Sequence, residues 1–102
     1  MAQTFLGYPV IVTTGFTAAT GAASARSAIP VDASGNIPNY IRIAGTNSFF
    51  KLGTATVTAT SNDSMVQPGD SQIIAVPKGM THIAYIQNGV AGQINVVPCE
   101  NS

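Results

Sequence analysis

Residues 40–52 read YIRIAGTNSFFKL, and this stretch carries the clearest structural pattern in the chain. Ile41 and Ile43 alternate with other residues before the GTNS turn, and Phe50 and Leu52 do the same after it. A period of two places alternate side chains on one face of a β-strand. Gly, Asn and Ser between two such runs are typical of a turn. The stretch therefore predicts a β-hairpin whose buried side carries these four residues.

The same rhythm recurs along most of the chain. Thr alternates with Ala and Val over residues 54–60, which predicts a further strand. No segment places apolar residues at i, i+3 and i+4, so we expect no amphipathic helix. We predict an all-β fold, an antiparallel β-sandwich or jelly-roll-like barrel of about seven to nine short strands. Further strands are predicted at 8–13, 27–31 and 65–66, and at 72–76, 81–86 and 93–96, the last three as a meander closed by Pro98.

The N-terminal quarter has a weaker pattern. Residues 15–25 are rich in Gly, Ala, Ser and Thr and show no apolar period, which predicts a flexible loop or an extended arm. A chain of 102 residues fits one domain. The expected organisation is an N-terminal strand plus flexible arm or loop over residues 1–25, followed by the β-sandwich over residues 26–102.

The composition indicates a surface with little charge. Charged residues make up 8% of the chain, against about 25% in an average domain, and the net charge is zero. Because a surface of Thr, Ser, Asn and Gln repels its copies weakly, it favours packing against neighbours, although a weakly charged monomer fits as well. The four basic residues are scattered, which argues against nucleic-acid binding. No apolar run approaches about 18 residues, so no membrane span is expected.

Few residues offer chemistry. His82 is the sole histidine, and each Asp lies in a predicted turn, where it most simply caps its own backbone. Asp63 and Asp70 flank a loop but lack calcium-loop spacing. Cys99 is the single cysteine, which predicts a thiol in a chain tail and synthesis in a reducing cytoplasm; cross-linking between copies is the alternative. With no nucleophile elbow or phosphate loop, we expect no catalytic, metal or cofactor site.

A contact surface is the remaining candidate site. Tyr40 and Arg42 are expected to share one outward face, and Phe49 and Lys51 another. The chain has no Trp and few acids, which favours a protein–protein patch over a carbohydrate platform. The residues predicted to contact other subunits are Phe5, Tyr8, Phe16, Tyr40, Arg42, Phe49 and Lys51.

Seven short segments together carry a family resemblance. They are SARSAIP at 24–30, YIRIA at 40–44, FKLG at 50–53, TVTAT at 56–60, MVQPG at 65–69, GMTHIAYIQ at 79–87 and GQINV at 92–96. With these segments the chain resembles, over about residues 24 to 97, small β-proteins encoded among the head genes of tailed bacteriophages. The resemblance implies a capsid cement or decoration protein, a β-sandwich or jelly-roll module bound at junctions between capsid subunits, with no active site.

The resulting expectation is a non-enzymatic virion structural protein that stabilises a phage head. Its expected partners are the major capsid protein and copies of itself, as a dimer or trimer, with neither nucleic acid nor membrane. Its expected place is the capsid exterior, after synthesis in the cytoplasm of the bacterial host. A structural role in the tail or at the portal vertex is one alternative, and a β-module that binds a host or a glycan is another.

Overall fold

The computed structural model describes residues 9–10, 14–66 and 69–101, and its side-chain description covers 14–66 and 69–99. This part of the chain contains antiparallel β-strands and no helix, which confirms the predicted all-β class. The strands are β1 Pro9–Val10, β2 Phe16–Ala19, β3 Ala25–Ala28, β4 Tyr40–Thr46, β5 Ser48–Gly53, β6 Ser64–Met65, β7 Gln72–Ala75, β8 His82–Gln87 and β9 Gln93–Asn101.

The strands form two sheets. In the first sheet the order is β1-β9-β4-β7, and β2 pairs with β9 on the same edge as β1. In the second sheet the order is β3-β8-β5-β6. The longest strand, β9, pairs with β4 from Gln93 to Cys99, while β2 and β1 share its other edge.

The predicted hairpin and meander are wrong in their pairing. β4 and β5 belong to different sheets, because the chain crosses between the layers at Asn47, whose φ is +48°. β7, β8 and β9 likewise alternate between the sheets instead of pairing with each other. The predicted buried faces are nevertheless correct, since alternation fixes which side of a strand is apolar but not which strand lies beside it.

One hydrophobic core joins the two sheets. The first sheet contributes residues of β4 and β9, and the second contributes residues of β5 and β8. The rings of Phe16 and Tyr85, from opposite sheets, have centroids 6.3 Å apart. Each fully buried aliphatic or aromatic side chain adds about 1.5–3 kcal/mol to folding. The core cluster consists of Ile29, Ile41, Ile43, Phe50, Val66, Ile83, Tyr85, Ile94 and Val96.

The flexible loop or extended arm predicted over residues 15–25 is wrong at residues 16–19, whereas residues 20–24 lie outside the strands. Phe16–Ala19 forms β2, and Phe16 and Ala18 pack against the core while Thr17 and Ala19 are exposed. The buried–exposed alternation of this strand covers only four residues, and three of them are Thr or Ala, so it could not be distinguished from the surrounding Gly, Ala, Ser and Thr residues. A Cβ on Gly15 would lie 1.7 Å from the carbonyl oxygen of Val96, so this entry to β2 needs glycine.

Residues 54–60, predicted to be a strand, instead form a turn and an irregular segment that lies over the second sheet. Arg26 Nη1 donates to the carbonyl of Val57 at 3.0 Å, and the amide of Ala59 donates to Ser24 Oγ at 2.8 Å. The side chain of Val57 takes the space where Gly53 lacks a Cβ. We call residues 54–60 the covering segment. Its alternating Thr residues resemble a strand pattern. Its backbone amides nevertheless bond a side chain, Ser24, and a carbonyl within its own turn, that of Thr54, and not a neighbouring strand.

Pro98 does not end the last strand, which continues through it to Asn101. The amide of Val76 donates to the carbonyl of Asn39. Because the hydrogen-bonding groups of successive residues in an antiparallel strand point to opposite sides, the N–H and C=O of Ile41 face β7 and those of Tyr40 face β9. Pro98, opposite Ile41, therefore directs its missing N–H away from β4. On that other edge, β2 pairs with β9 as far as Val96 and β1 pairs with it again from Glu100. Pro98 lies in the gap between them, so its missing N–H breaks no ladder bond.

Candidate interaction surface

The outward faces of the two sheets differ. On the second sheet, the covering segment lies over the outer face, where Ala84 is fully buried although it alternates with the core residues Ile83 and Tyr85. On the first sheet, cross-strand register aligns outward side chains in two rows. One row runs Ala75, Tyr40, Cys99, and the next runs Ile73, Arg42, Val97.

We call Tyr40, Arg42, Ile73, Ala75 and Val97 the open face. Ile73 keeps 49% of its surface exposed and Ala75 is exposed, while the other three are half-buried. An arginine and a tyrosine set among aliphatic side chains match the composition of protein–protein contact centres. The side chains sit on paired strands, so a partner would meet a surface whose backbone is already ordered.

The open face carries one cation and no carboxylate among its described side chains. Two of the described acids are bonded in turns elsewhere: Asp32 accepts from the amides of Ser34 and Asn36 at 2.9 and 3.0 Å. Asp63 accepts from the amide of Thr60 at 2.7 Å. Both Asp residues cap their own turns, as predicted. The positive charge of Arg42 is therefore available to a carboxylate on a partner.

Cys99 is the β9 member of the first row and does not lie in a chain tail, which corrects the prediction. It belongs to β9, is 1% exposed, and has its sulfur 4.0 Å from the carbonyl oxygen of Val97. Burial raises the pKa of the thiol, and the nearby Arg42 guanidinium lowers this pKa by a smaller amount. The thiol is held protonated and out of reach, so it supports packing and not nucleophilic chemistry.

The structure brings together two of the seven predicted contact residues. Tyr40 and Arg42 share the open face, whereas Lys51 is exposed on the outer side of the other sheet. Phe49, predicted to point outward to a partner, is only 8% exposed, and Phe16 packs against the core. Phe49 lies on the same side of β5 as Lys51, so its burial, and not its direction, departs from the prediction. Phe5 and Tyr8 lie outside the described residues.

Ile73, Ala75 and Val97 were not predicted, although the sequence contains a signal for them. Ile73 and Ile74 are adjacent, as are Val96 and Val97, and a strand with apolar residues on successive positions has no purely polar face. That signal indicates an apolar outer surface but does not show that β4 lies between these two strands.

His82 behaves as predicted, as a half-buried histidine on β8, with Nδ1 2.7 Å from Oγ1 of Thr81. Among the described residues, no three His, Cys, Asp or Glu side chains come together as a metal site would require. Within the same ranges no helix has the length and apolar character to cross a membrane. Comparison with protein-family models, with curated proteins and with solved structures finds no match.

Proposed function

We propose that this chain is a non-enzymatic virion structural protein of a tailed bacteriophage, a cement protein that binds at junctions between major capsid subunits on the outside of the head. We further propose that its fold is a jelly roll, with β2-β9-β4-β7 facing β3-β8-β5-β6. From β2 onward, successive strands change sheets at every step except between β5 and β6, which supports this assignment. The resemblance of residues 24 to 97 to phage head proteins points the same way.

The observation that carries the proposal is the asymmetry between the two outer faces. The covering segment is bonded over part of the second sheet, whereas on the first sheet Ile73 and Ala75 are exposed beside the half-buried Tyr40 and Arg42. A folded module with one prepared surface is suited to attachment. Tyr and Arg are the residue types that most often dominate binding energy when a partner surrounds them.

The low charge of the chain supports the same role. With 8% charged residues, neighbouring copies on a shell repel each other weakly. Many identical contacts on one particle add up, so a modest open face is sufficient when subunits bind side by side. A rigid module that touches two shell subunits adds contacts that must break together.

The test is binding to empty shells of the major capsid protein from the same virus. Wild-type protein is expected to bind in proportion to the shell subunits and to raise the temperature at which shells open. Arg42→Glu is expected to weaken binding by about tenfold or more, because each factor of ten corresponds to about 1.4 kcal/mol. Lys78→Glu is the matched control, a charge reversal at an exposed turn residue outside the open face, and is expected to change binding less than about twofold.

Three outcomes would count against the proposal. Wild-type protein that does not bind shells contradicts the cement function. Equal losses for the two variants contradict the assignment of the open face. A copy number of about a dozen per particle, instead of hundreds, would favour the alternative position in the tail or at the portal vertex.

A further inference from the structure

A second surface lies at the free edge of the first sheet. β7 is the last strand there and pairs on one side with β4. Because the amide of Val76 bonds Asn39, the alternating ladder directs the N–H and C=O of Ile74 toward β4. The same groups of Ile73 and Ala75 then point away from the sheet. This edge is uncharged from Gln72 to Ala75, so it lacks the charges by which proteins usually protect an edge strand.

Beside this edge, a groove of about 460 Å³ opens between the two sheets. Its apolar lining comes from Phe50, Leu52 and Ile74, side chains on the core side of β5 and β7. It exists because β6 is only two residues long and pairs with β5 at Phe49 and Phe50 alone. The volume lies within the range of about 300–1,000 Å³ that ligand sites in proteins have.

We propose that β7 and this groove together receive an extended peptide segment of the partner, which adds a strand to the first sheet. The segment would bond the outward groups of Ile73 and Ala75 and set alternate apolar side chains into the groove. The free edge and the apolar groove are separate observations, and strand addition uses both.

The chemistry of the rim indicates a segment without net charge. The lining contains one carboxylate, Asp63, and one cation, Lys51, together with the neutral Asn62 and Ser64. Oδ2 of Asp63 already accepts from the amide and the hydroxyl of Thr60 at 2.7 and 3.3 Å. Because the two charges of the lining balance, recognition is expected to depend chiefly on backbone hydrogen bonds and on apolar side chains.

The occupant is an extended arm of a shell subunit, so this inference rests on the proposed function. A single strand can enter between β7 and the rim at Asn62 to Ser64. The β7 edge of a second copy would bring its own rim to the same place, and the two rims would oppose each other. Self-pairing of the protein through β7 is therefore an outcome of the test that would overturn the assignment.

The test uses Ala75→Pro with Ala75→Val as its matched control, measured by binding to empty capsid shells. Proline removes the outward N–H without removing a bond to β4, and valine keeps that N–H at similar side-chain size. We expect Ala75→Pro to weaken shell binding by about tenfold relative to Ala75→Val, with both variants folded by circular dichroism. Equal binding by the two variants would overturn the inference while leaving the proposed function in place.

A second pair of variants probes the groove. Ser64→Trp places a large ring at the groove, whereas Ser61→Trp places the same ring in the same loop at a position that does not line it. Only Ser64→Trp is expected to weaken shell binding. Failure of wild-type protein to bind shells would instead contradict the proposed function.

Hydrogen exchange of the wild-type protein decides the case even if Ala75→Pro does not fold. The amides of Ile73 and Ala75 are expected to exchange rapidly in the free protein and slowly on shells. No slowing on shells would overturn the inference. Slowing in the free protein that grows with its concentration would do so as well, because it would identify a second copy as the occupant.

Discussion

At the scale of single residues, the end of the molecule where β4 passes to β5 is held by buried hydroxyl groups. Ser48 is fully buried, with Oγ 3.1 Å from Thr20 Oγ1 and 2.8 Å from the carbonyl oxygen of Thr46. The amide of Gly92 donates to Thr20 Oγ1 at 3.0 Å. The bonds from Thr20 to Ser48 and Gly92 join segments distant in sequence, so no local pattern could have predicted them.

Thr20→Val tests this cluster. The substitution keeps the shape of the side chain but leaves the Gly92 amide without its acceptor, while the Ser48 hydroxyl keeps the carbonyl of Thr46. A buried group left unsatisfied costs about 1–3 kcal/mol, so we expect the free energy of unfolding in urea to fall by that amount. Thr58→Val, at an exposed position, is expected to change it by less than about 0.5 kcal/mol. Equal effects would show that the cluster is unimportant.

Cys99 gives a prediction about pH. Because burial raises the pKa of its thiol in the folded protein, the folded state holds this proton more tightly than the unfolded state. The resulting stability is complete below the pKa of the unfolded thiol and is lost as pH rises through the folded pKa. Wild type should therefore lose more stability than Cys99→Ala as pH rises above about 8.5, the usual pKa of a free thiol. Parallel loss in urea titrations of the two proteins would contradict this.

At the scale of elements, the sequence predicted most strands and failed at pairing. β4, β5, β7 and β8 lie close to their predicted positions, because alternation of large apolar residues such as Ile41 and Ile43 is a local property. The covering segment was misread, since its Thr and Ala pattern fits a strand equally well. Of the candidate surface, only Tyr40 and Arg42 were identified. The neighbours that complete it come from β7 and β9, and strand order is not encoded locally.

Ser24→Ala tests how the covering segment is held. The substitution removes the acceptor for the amide of Ala59, so that amide is expected to exchange its hydrogen at least several times faster. The free energy of unfolding should fall by about 0.5–1.5 kcal/mol. Ser34→Ala, in an exposed turn, serves as the control and should alter neither quantity. Unchanged exchange at Ala59 would mean that other contacts hold the segment.

At the scale of the whole molecule, the sheets are assembled from strands far apart in sequence. β2 pairs with β9 and β3 pairs with β8, while neighbours such as β4 and β5 lie in opposite layers. Bringing such distant strands together costs chain entropy, and this cost arises before most of the stabilising contacts form.

This topology predicts slow folding. We expect refolding from urea to take on the order of milliseconds to seconds, as for other β-proteins with non-local pairing. Stopped-flow measurements with far-ultraviolet circular dichroism would follow it. Complete refolding within microseconds would contradict the strand order. An intact variant without an effect on pairing, such as Ser34→Ala, should refold at the wild-type rate.

The position of β9 has a consequence for synthesis. This strand lies between β4 on one side and β1 and β2 on the other, and it spans residues 93–101. A ribosome makes β1, β2 and β4 long before it makes the strand that joins them. The emerging polypeptide must therefore keep its apolar strands apart, or have them shielded by a chaperone, until residue 101 has left the exit tunnel.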